Sequence, residues 1–236
     1  MVVAIHQPNF FPWLGYFNKL ARADIFVFLD DVAYPKSGHS MGSWCNRVKV
    51  LIQGRGAWIR IPVIREHGTQ LIKDVKIDNR RDWRRIVLRT IENNYKKSSY
   101  FDENWEWLKK LINFEAETLS EYNIQNIMEI ASRLGFSPKY VLQSEMHTEN
   151  VSTDLLIEIT KKVGADTYLC GGGAKGYQED KKFHENRISL TYQGFEHPIY
   201  AQMKTTAFVP GLSIIDAFLH CGIAKTSRML SSRHER

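Results

Sequence analysis

The chain has 236 residues, 43% hydrophobic and 25% charged, the ordinary balance of a soluble globular protein with one large core or two small ones. Its net charge of +6, from 32 Lys and Arg against 26 Asp and Glu, suits an anionic small molecule, a nucleotide or a membrane surface, but no Lys/Arg tract is long enough for a nucleic-acid arm. Cys45, Cys170 and Cys221 form neither a disulfide framework nor a zinc pattern, no leader-like segment opens the chain, and no apolar run approaches the ~20 residues that cross a bilayer, so a cytoplasmic protein without an integral membrane segment is expected.

Val2 to His6 is a short, β-branched apolar run bounded by Pro8 and reads as a buried strand. Phe11, Leu14, Gly15, Phe17, Leu20 and Ala21 then follow helical spacing, with Pro12 near the helix start. Ile25 to Leu29 reads as a second strand. The two runs stop at His6-Gln7 and at Asp30-Asp31, as parallel strands of a βαβ unit would. Their carboxyl ends then share one sheet edge, the edge where open α/β folds bind ligands, and His6, Gln7, Asp30 and Asp31 are expected to face one pocket.

Tyr34 to Ser43, with Pro35, Gly38 and Gly42, is a loop placed to cover a substrate. Trp44–Ile52, Ala57–Val63 and Leu71–Ile77 alternate in part and read as an antiparallel meander. Asn79–Lys97, Asp102–Ile112 and Phe114–Leu134 carry apolar residues at helical spacing, and the arginines of the first follow the solvent face. Lys139–Leu142, Asp166–Leu169 and Ile188–Tyr192 read as strands, Thr153–Val163 and Gln178–Glu185 as helices. The last helix, Ile214–Cys221, is capped by Ser213 and closed by Gly222. The expected fold is α/β, with a mostly parallel Rossmann-like central sheet, an antiparallel β extension and a helical region over about residues 79–135. One domain is expected over 1–223, followed by a basic tail, 224–236, that frays.

Several residues in this frame can carry chemistry. His6 at a strand end, or His197 in a late loop, suits a general base. Asp30 and Asp31 could orient a base or an amine, but adjacent residues on an extended chain point opposite ways, so at most one is expected in the pocket. No Asp/Glu/His cluster has metal-ligand spacing, and no metal is expected. The run Cys170-Gly171-Gly172-Gly173-Ala174-Lys175-Gly176-Tyr177 follows a strand and precedes a helix, an arrangement that cradles phosphate or carboxylate on backbone N–H groups. It matches neither a P-loop nor G-x-G-x-x-G, and a tight turn needing positive φ is the alternative. Asn46 and Arg47 are candidate anion ligands, Trp13 a candidate stacking platform, and Tyr200 and Gln202 candidate sugar ligands. Cys45 or Cys170 could serve as a thiol nucleophile, although small buried cysteines are commoner.

The run I-H-Q-P-N-F-F-P-W-L-G-Y-F-N-K-L followed by D-I-F-V-F-L-D-D-V resembles the opening of the WbqC-like proteins. So do W-C-N-R-V-K-V, I-D-N-R-R-D-W-R, G-A-D-T-Y-L-C-G-G-G-A-K-G-Y, H-P-I-Y-A-Q and F-V-P-G-L-S-I-I-D-A-F-L-H-C-G, in order from Val3 to Gly222. The resemblance implies a setting in O-antigen or other surface-polysaccharide synthesis, where nucleotide-linked sugars are made or decorated. Cys170 stands where the family is expected to carry serine, which argues against thiol catalysis.

The expected function is transfer of an acyl or aminoacyl group to the amino group of a nucleotide-linked amino sugar. His6, Asp30, Asp31 and His197 would be catalytic, and Gln7, Trp13, Asn46, Arg47, Gly171, Gly172, Gly173, Lys175, Tyr177, Tyr200 and Gln202 would bind substrate or phosphate. The cofactor is open, a nucleotide or an activated acyl donor being the candidates. The partner is a nucleotide sugar rather than a nucleic acid, and a homo-oligomer is left open. Two alternatives stand beside it: an ATP-dependent ligase or nucleotidyltransferase of HIGH-type fold, by analogy of the first strand and its His loop, and a noncatalytic sugar-nucleotide-binding or scaffold protein.

Overall fold

A computed structural model of the chain describes residues 1–35, 43–172 and 178–231. Among these, five strands form one parallel sheet: β1 (Val2–His6), β2 (Ile25–Phe28), β5 (Lys139–Leu142), β6 (Thr167–Cys170) and β7 (Ser189–Tyr192). Their order is β5-β2-β1-β6-β7, and every neighbouring pair is parallel. The chain builds outward from β1 through β2 to β5, then returns across β1 to lay down β6 and β7. The order therefore reverses between β1 and β6, which is the topological switch point of a doubly wound sheet.

The inner strands are continuous apolar runs because they are buried on both faces. Val3, Ile5, Ile25 and Val27 pack on one face with Tyr168 and Phe183. That face is covered by α5 (Ser152–Lys162), through Leu155 and Ile159, and by α6 (Asp180–Glu185). Ala4, Phe26, Phe28 and Leu169 point to the other face, where α1 (Leu14–Ala21) and α7 (Ile214–Ser231) pack. On that side the core continues into a helical region of α2 (Trp83–Tyr95), α3 (Phe101–Asn113) and α4 (Leu119–Arg133), the last N-capped by Thr118 Oγ1, which accepts from the Glu121 amide at 3.2 Å.

The antiparallel part is smaller than the sequence suggests. β3 (Arg47–Ile52) and β4 (Arg55–Arg60) form a separate two-stranded sheet rather than an extension of the parallel one. Leu71–Ile77 is not a third strand. It makes a single 3-10 turn at Ile72–Asp74, flanked by isolated bridges from Leu71 to Ala33 and from Ile77 to Val63. Ile72, Val75 and Ile77 are all buried there, so the apolar spacing reflects packing under α4 and not a pleated ladder.

The last helix also departs from the sequence reading. Gly222 breaks it with φ of +74°, but the helix resumes and runs to Ser231. Thr226 and Leu230 are buried, and the Leu230 carbonyl accepts from Asn18 Nδ2 at 2.9 Å. Residues 224–231 are thus a docked helical turn against α1. A left-handed glycine permits the kink, and Tyr100 fills the space where a side chain at 222 would stand.

Candidate functional site at the switch point of the sheet

The ladder between β1 and β6 stops early. β1 pairs with β6 only from Val2 to Ala4, whereas it stays paired with β2 as far as His6 opposite Phe28. β6 likewise keeps its pairing with β7 as far as Cys170 opposite Tyr192. The two strands therefore part at Ile5 and Cys170. The Ile5 carbonyl, left without a strand partner on that side, accepts instead from Lys19 Nζ at 2.8 Å.

Lys19 is the residue that sequence reasoning missed. It lies on α1, is only 3% exposed, and forms no ion pair with a carboxylate among the described residues. Its Nζ stands 5.7 Å from the Tyr168 ring centroid. Burial pulls its ammonium down to about 8, with the Cys170 sulfur opposing the shift. One signal was available: α1 reads L-G-Y-F-N-K-L-A, is buried from Leu14 to Leu20, and has Lys19 as its single charge. A helix buried all round with one charge inside marks that charge for attention.

His6 sits at the end of β1, half-buried, with its ring 4.6 Å from that of Tyr16. Burial, reinforced by the Lys19 charge, pushes its imidazole down to about 3, so the ring is neutral at physiological pH. Nδ1 lies 3.1 Å from the Gln7 carbonyl, the arrangement of an Nδ1–H donor, which leaves the Nε2 lone pair available. Tyr16 OH donates to the same carbonyl at 3.2 Å.

The loop after His6 is held rigidly. Asn123 Nδ2 donates to the Pro8 carbonyl at 2.9 Å and to the Cys45 carbonyl at 2.7 Å. Phe10 N–H donates to Trp44 O at 2.9 Å, and Ser213 Oγ donates to Phe11 O at 2.8 Å. Phe11 itself is fully buried with φ of +38°, a conformation that a bulky residue adopts only under constraint. The turn at Ser43–Asn46 thereby packs on the loop, and the Cys45 sulfur lies 3.8 Å from Gln7 Oε1. Burial pushes the Cys45 thiol up to about 12, and burial also raises that of Cys170, so both are protonated thiols at neutral pH.

Gly171 and Gly172 follow β6 at the same edge. Neither has a positive φ, and a Cβ added at either would meet nothing within 4 Å. Among the described residues, neither backbone φ nor packing requires glycine at these two positions. Gly173, Lys175 and Tyr177 lie outside the described residues.

The remaining candidates are spread over several environments. Asp30 is buried and its carboxylate is committed: Oδ1 accepts from the Ser144 amide at 3.0 Å and Oδ2 from the Ser144 hydroxyl at 2.7 Å, tying β2 to the turn after β5. Asp31 is half-buried and pairs with Lys73 at 2.6 Å. The adjacent carboxylates thus diverge, as the extended backbone requires. Asn46 closes its own turn, accepting from the Ser43 amide at 2.8 Å and donating to Ile61 O at 3.1 Å. Arg47 places its guanidinium 4.4 Å over the Trp58 ring.

Trp13, Phe195 and His197 form an aromatic group, with ring centroids 5.4 Å and 5.1 Å from Trp13 to the other two. Burial lowers the His197 imidazole. Tyr200 and Gln202, expected as sugar ligands, instead address a fully buried carboxylate that the sequence did not single out. Asp216 on α7 accepts from Tyr95 OH at 2.8 Å, Tyr200 OH at 2.7 Å and Gln202 Nε2 at 3.0 Å. This network fastens the late loop to α2 and α7. Among the described residues no group of three or more His, Cys, Asp or Glu side chains could hold a metal ion. No helix there is long and apolar enough to cross a membrane.

The chain is similar to "Uncharacterized protein Rv1507c" of Mycobacterium tuberculosis, 30% identical over 224 residues that cover 93% of this chain and 94% of that one. No solved structure gives a significant match. The family model of the WbqC-like proteins matches residues 7–228, a span that takes in the pinned loop after β1, Lys19, both glycines and the Asp216 network. The chain belongs to the WbqC-like protein family.

Proposed function

We propose that the protein is an enzyme of surface-polysaccharide precursor synthesis that transfers an acyl or aminoacyl group to the amino group of a nucleotide-linked amino sugar. One observation carries the reading: β1, ending in a neutral His6, and β6, followed by Gly171 and Gly172, part at the position where doubly wound sheets bind ligands. The polysaccharide setting comes from the family resemblance.

In this reaction the free lone pair of His6 Nε2 accepts the proton of the attacking amine as its nitrogen bonds to the acyl carbonyl carbon. The backbone N–H groups of the glycine turn receive the oxyanion that forms, and its collapse expels the donor's leaving group, which takes the proton. His6 by itself is a weak base. Burial is the main cause of this and the Lys19 ammonium the second, and a substrate anion close to Lys19 offsets the second. Asp31 and Arg47 remain candidates for orienting the substrate, and Trp13 and His197 offer ring faces to a base or sugar. Asp30, already satisfied by Ser144, supports β2.

The test is turnover of UDP- or dTDP-linked amino sugars with acyl thioester and aminoacyl adenylate donors, followed by mass spectrometry. His6→Gln is expected to abolish product and Asp31→Ala to reduce it. Product formed equally by His6→Gln places the reaction elsewhere. Ligand binding without turnover by any donor would favour a noncatalytic sugar-nucleotide-binding protein.

A further inference from the structure

The opening between β1 and β6 contains a charge that the fold does not need. The Ile5 carbonyl requires one donor, which an uncharged amide could supply. An ammonium there brings a desolvation cost that a neighbouring carboxylate would ordinarily offset. No described carboxylate pairs with Lys19. Among the described residues, the groups that reach it are the His6 imidazole from β1 and the Tyr168 ring and Cys170 thiol from β6, none of them anionic at neutral pH; the nearby Asp180 carboxylate acts on Cys170 and pairs with Tyr192 OH rather than with Lys19. A single hydrogen bond, to Ile5 O, leaves two N–H donors of the ammonium for another acceptor. Beside the end of β6, no atom of the described residues stands where a side chain at Gly171 or Gly172 would be.

We infer that the parting of β1 and β6 is an anion site for phosphate or diphosphate, with the Lys19 ammonium as its counter-charge and the Gly171–Gly172 backbone as its wall. Glycine backbone at a switch point is where α/β proteins bind phosphate, and a buried ammonium with no described carboxylate beside it adds the counter-charge. The tetrahedral oxygens of one phosphoryl group supply the acceptors that Lys19 lacks. The inference deepens the proposed function by assigning the diphosphate of the nucleotide sugar to a particular place, and it rests on that reading only for the identity of the natural ligand.

The probe is inorganic pyrophosphate, titrated into the full chain by calorimetry and followed in parallel by the NMR signals of the histidine ring protons. Wild type is expected to bind saturably at one site, and pyrophosphate is expected to shift the His6 ring signals while leaving those of His147 in place. Lys19→Gln, which can still donate to Ile5 O, is expected to weaken binding about tenfold or more without lowering the urea midpoint. Lys19→Met serves as the second uncharged variant. The NMR arm needs no substitution and decides the matter if neither variant folds.

Absence of saturable binding to wild type overturns the inference. So does equal binding by a folded Lys19→Gln, and so does a lowered urea midpoint with unchanged binding, which would make Lys19 only a cap for Ile5 O. Pyrophosphate binding through Lys19 without acyl transfer sustains the anion site and overturns the proposed reaction. Acyl transfer with an unchanged KM for the nucleotide sugar in Lys19→Gln does the reverse.

Discussion

The indole of Trp13 lies directly over Gly15, so that a Cβ at residue 15 would overlap the ring. Glycine at the start of α1 therefore lets the tryptophan fold back and meet Phe195 and His197 from the loop after β7. In an unhindered helix Gly→Ala is stabilising by up to about 1 kcal/mol. Here Gly15→Ala is expected to destabilise by about 1–3 kcal/mol, because the indole must leave its packed position. Urea unfolding gives the sign, and the near-ultraviolet circular dichroism of Trp13 reports its displacement. A stabilised variant with an unaltered spectrum would contradict this packing.

Lys19 ties stability to pH in a defined window. Its folded-state value is about 8 against 10.5 for an ordinary lysine. The unfolded chain therefore holds the proton more tightly between those values, and folding stability contributed at this residue rises as pH increases from 8 to 10.5. Below pH 8 the desolvated ammonium costs about 3 kcal/mol. Lys19→Gln, which can still donate to Ile5 O, should accordingly be more stable than wild type at pH 7, and the gap should narrow by pH 10. Comparing urea midpoints of the two proteins at both pH values isolates Lys19 from other titrating groups. A gap that stays constant with pH would count against a depressed lysine.

His6 acts in the acid range with the same sign. Its folded value of about 3 lies below the ordinary 6.5, so its contribution to stability is complete above 6.5 and is lost as pH falls towards 3. Its ring proton signals should show no titration from pH 8 to pH 5. Lys19→Met should raise the apparent value, since one of the two causes of the depression is removed. A His6 that titrates near 6.5 in wild type would count against a depressed imidazole.

Asp216 gives the largest expected loss. Asp216→Asn puts amide hydrogens among the hydroxyls of Tyr95 and Tyr200 and the Gln202 amide, all of which donate to the carboxylate. Tyr95 OH also accepts from the Leu51 amide at 2.6 Å, so its own hydrogen is committed to Asp216. The variant is expected to cost about 3 kcal/mol or more, against about 1 kcal/mol for Tyr200→Phe, which removes one donor and leaves the others. Equal, small losses would mean that the network is not cooperative.

The two aspartates after β2 are separated by the same logic. Asp30→Ala leaves the half-buried Ser144 amide and hydroxyl without these acceptors and is expected to cost about 1–3 kcal/mol. Asp31→Ala removes a partly exposed pair with Lys73 and is expected to change stability by less than about 1 kcal/mol. Urea unfolding of both variants checks the order, and the reverse order would reassign their roles.

The central sheet was legible because its strands are short apolar runs that end abruptly in polar residues. Lys139–Leu142 is placed as the sequence reading has it, and β1 and β2 are neighbours as a βαβ unit requires. Leu71–Ile77 was misread because burial under α4 imitates strand alternation when the backbone makes a 3-10 turn. The end of α7 was misread because a glycine stop and a kink have the same local sequence, and only the docking of Leu230 near α1 distinguishes them. Within the candidate site, His6 and the glycines follow from position at strand ends. Lys19 does not, since its meaning comes from β6, roughly 150 residues later in the chain, parting from β1. Tyr200 and Gln202 were drawn towards substrate because their partner, Asp216, is a helical residue that nothing local marks as buried.

The order β5-β2-β1-β6-β7 also has a kinetic consequence. The hairpin β3-β4 and helices α2 to α4 are joined by near neighbours and can form while little else is ordered. The strand β1, made first, must wait for β6, because Ala4 finds Leu169 only after most of the chain has been laid down. Closing so long a loop is slow, and the same closure brings His6, Lys19 and the glycine turn together. Refolding should therefore recover helical signal well before ligand binding, which makes competence of the site a late marker of the completed fold.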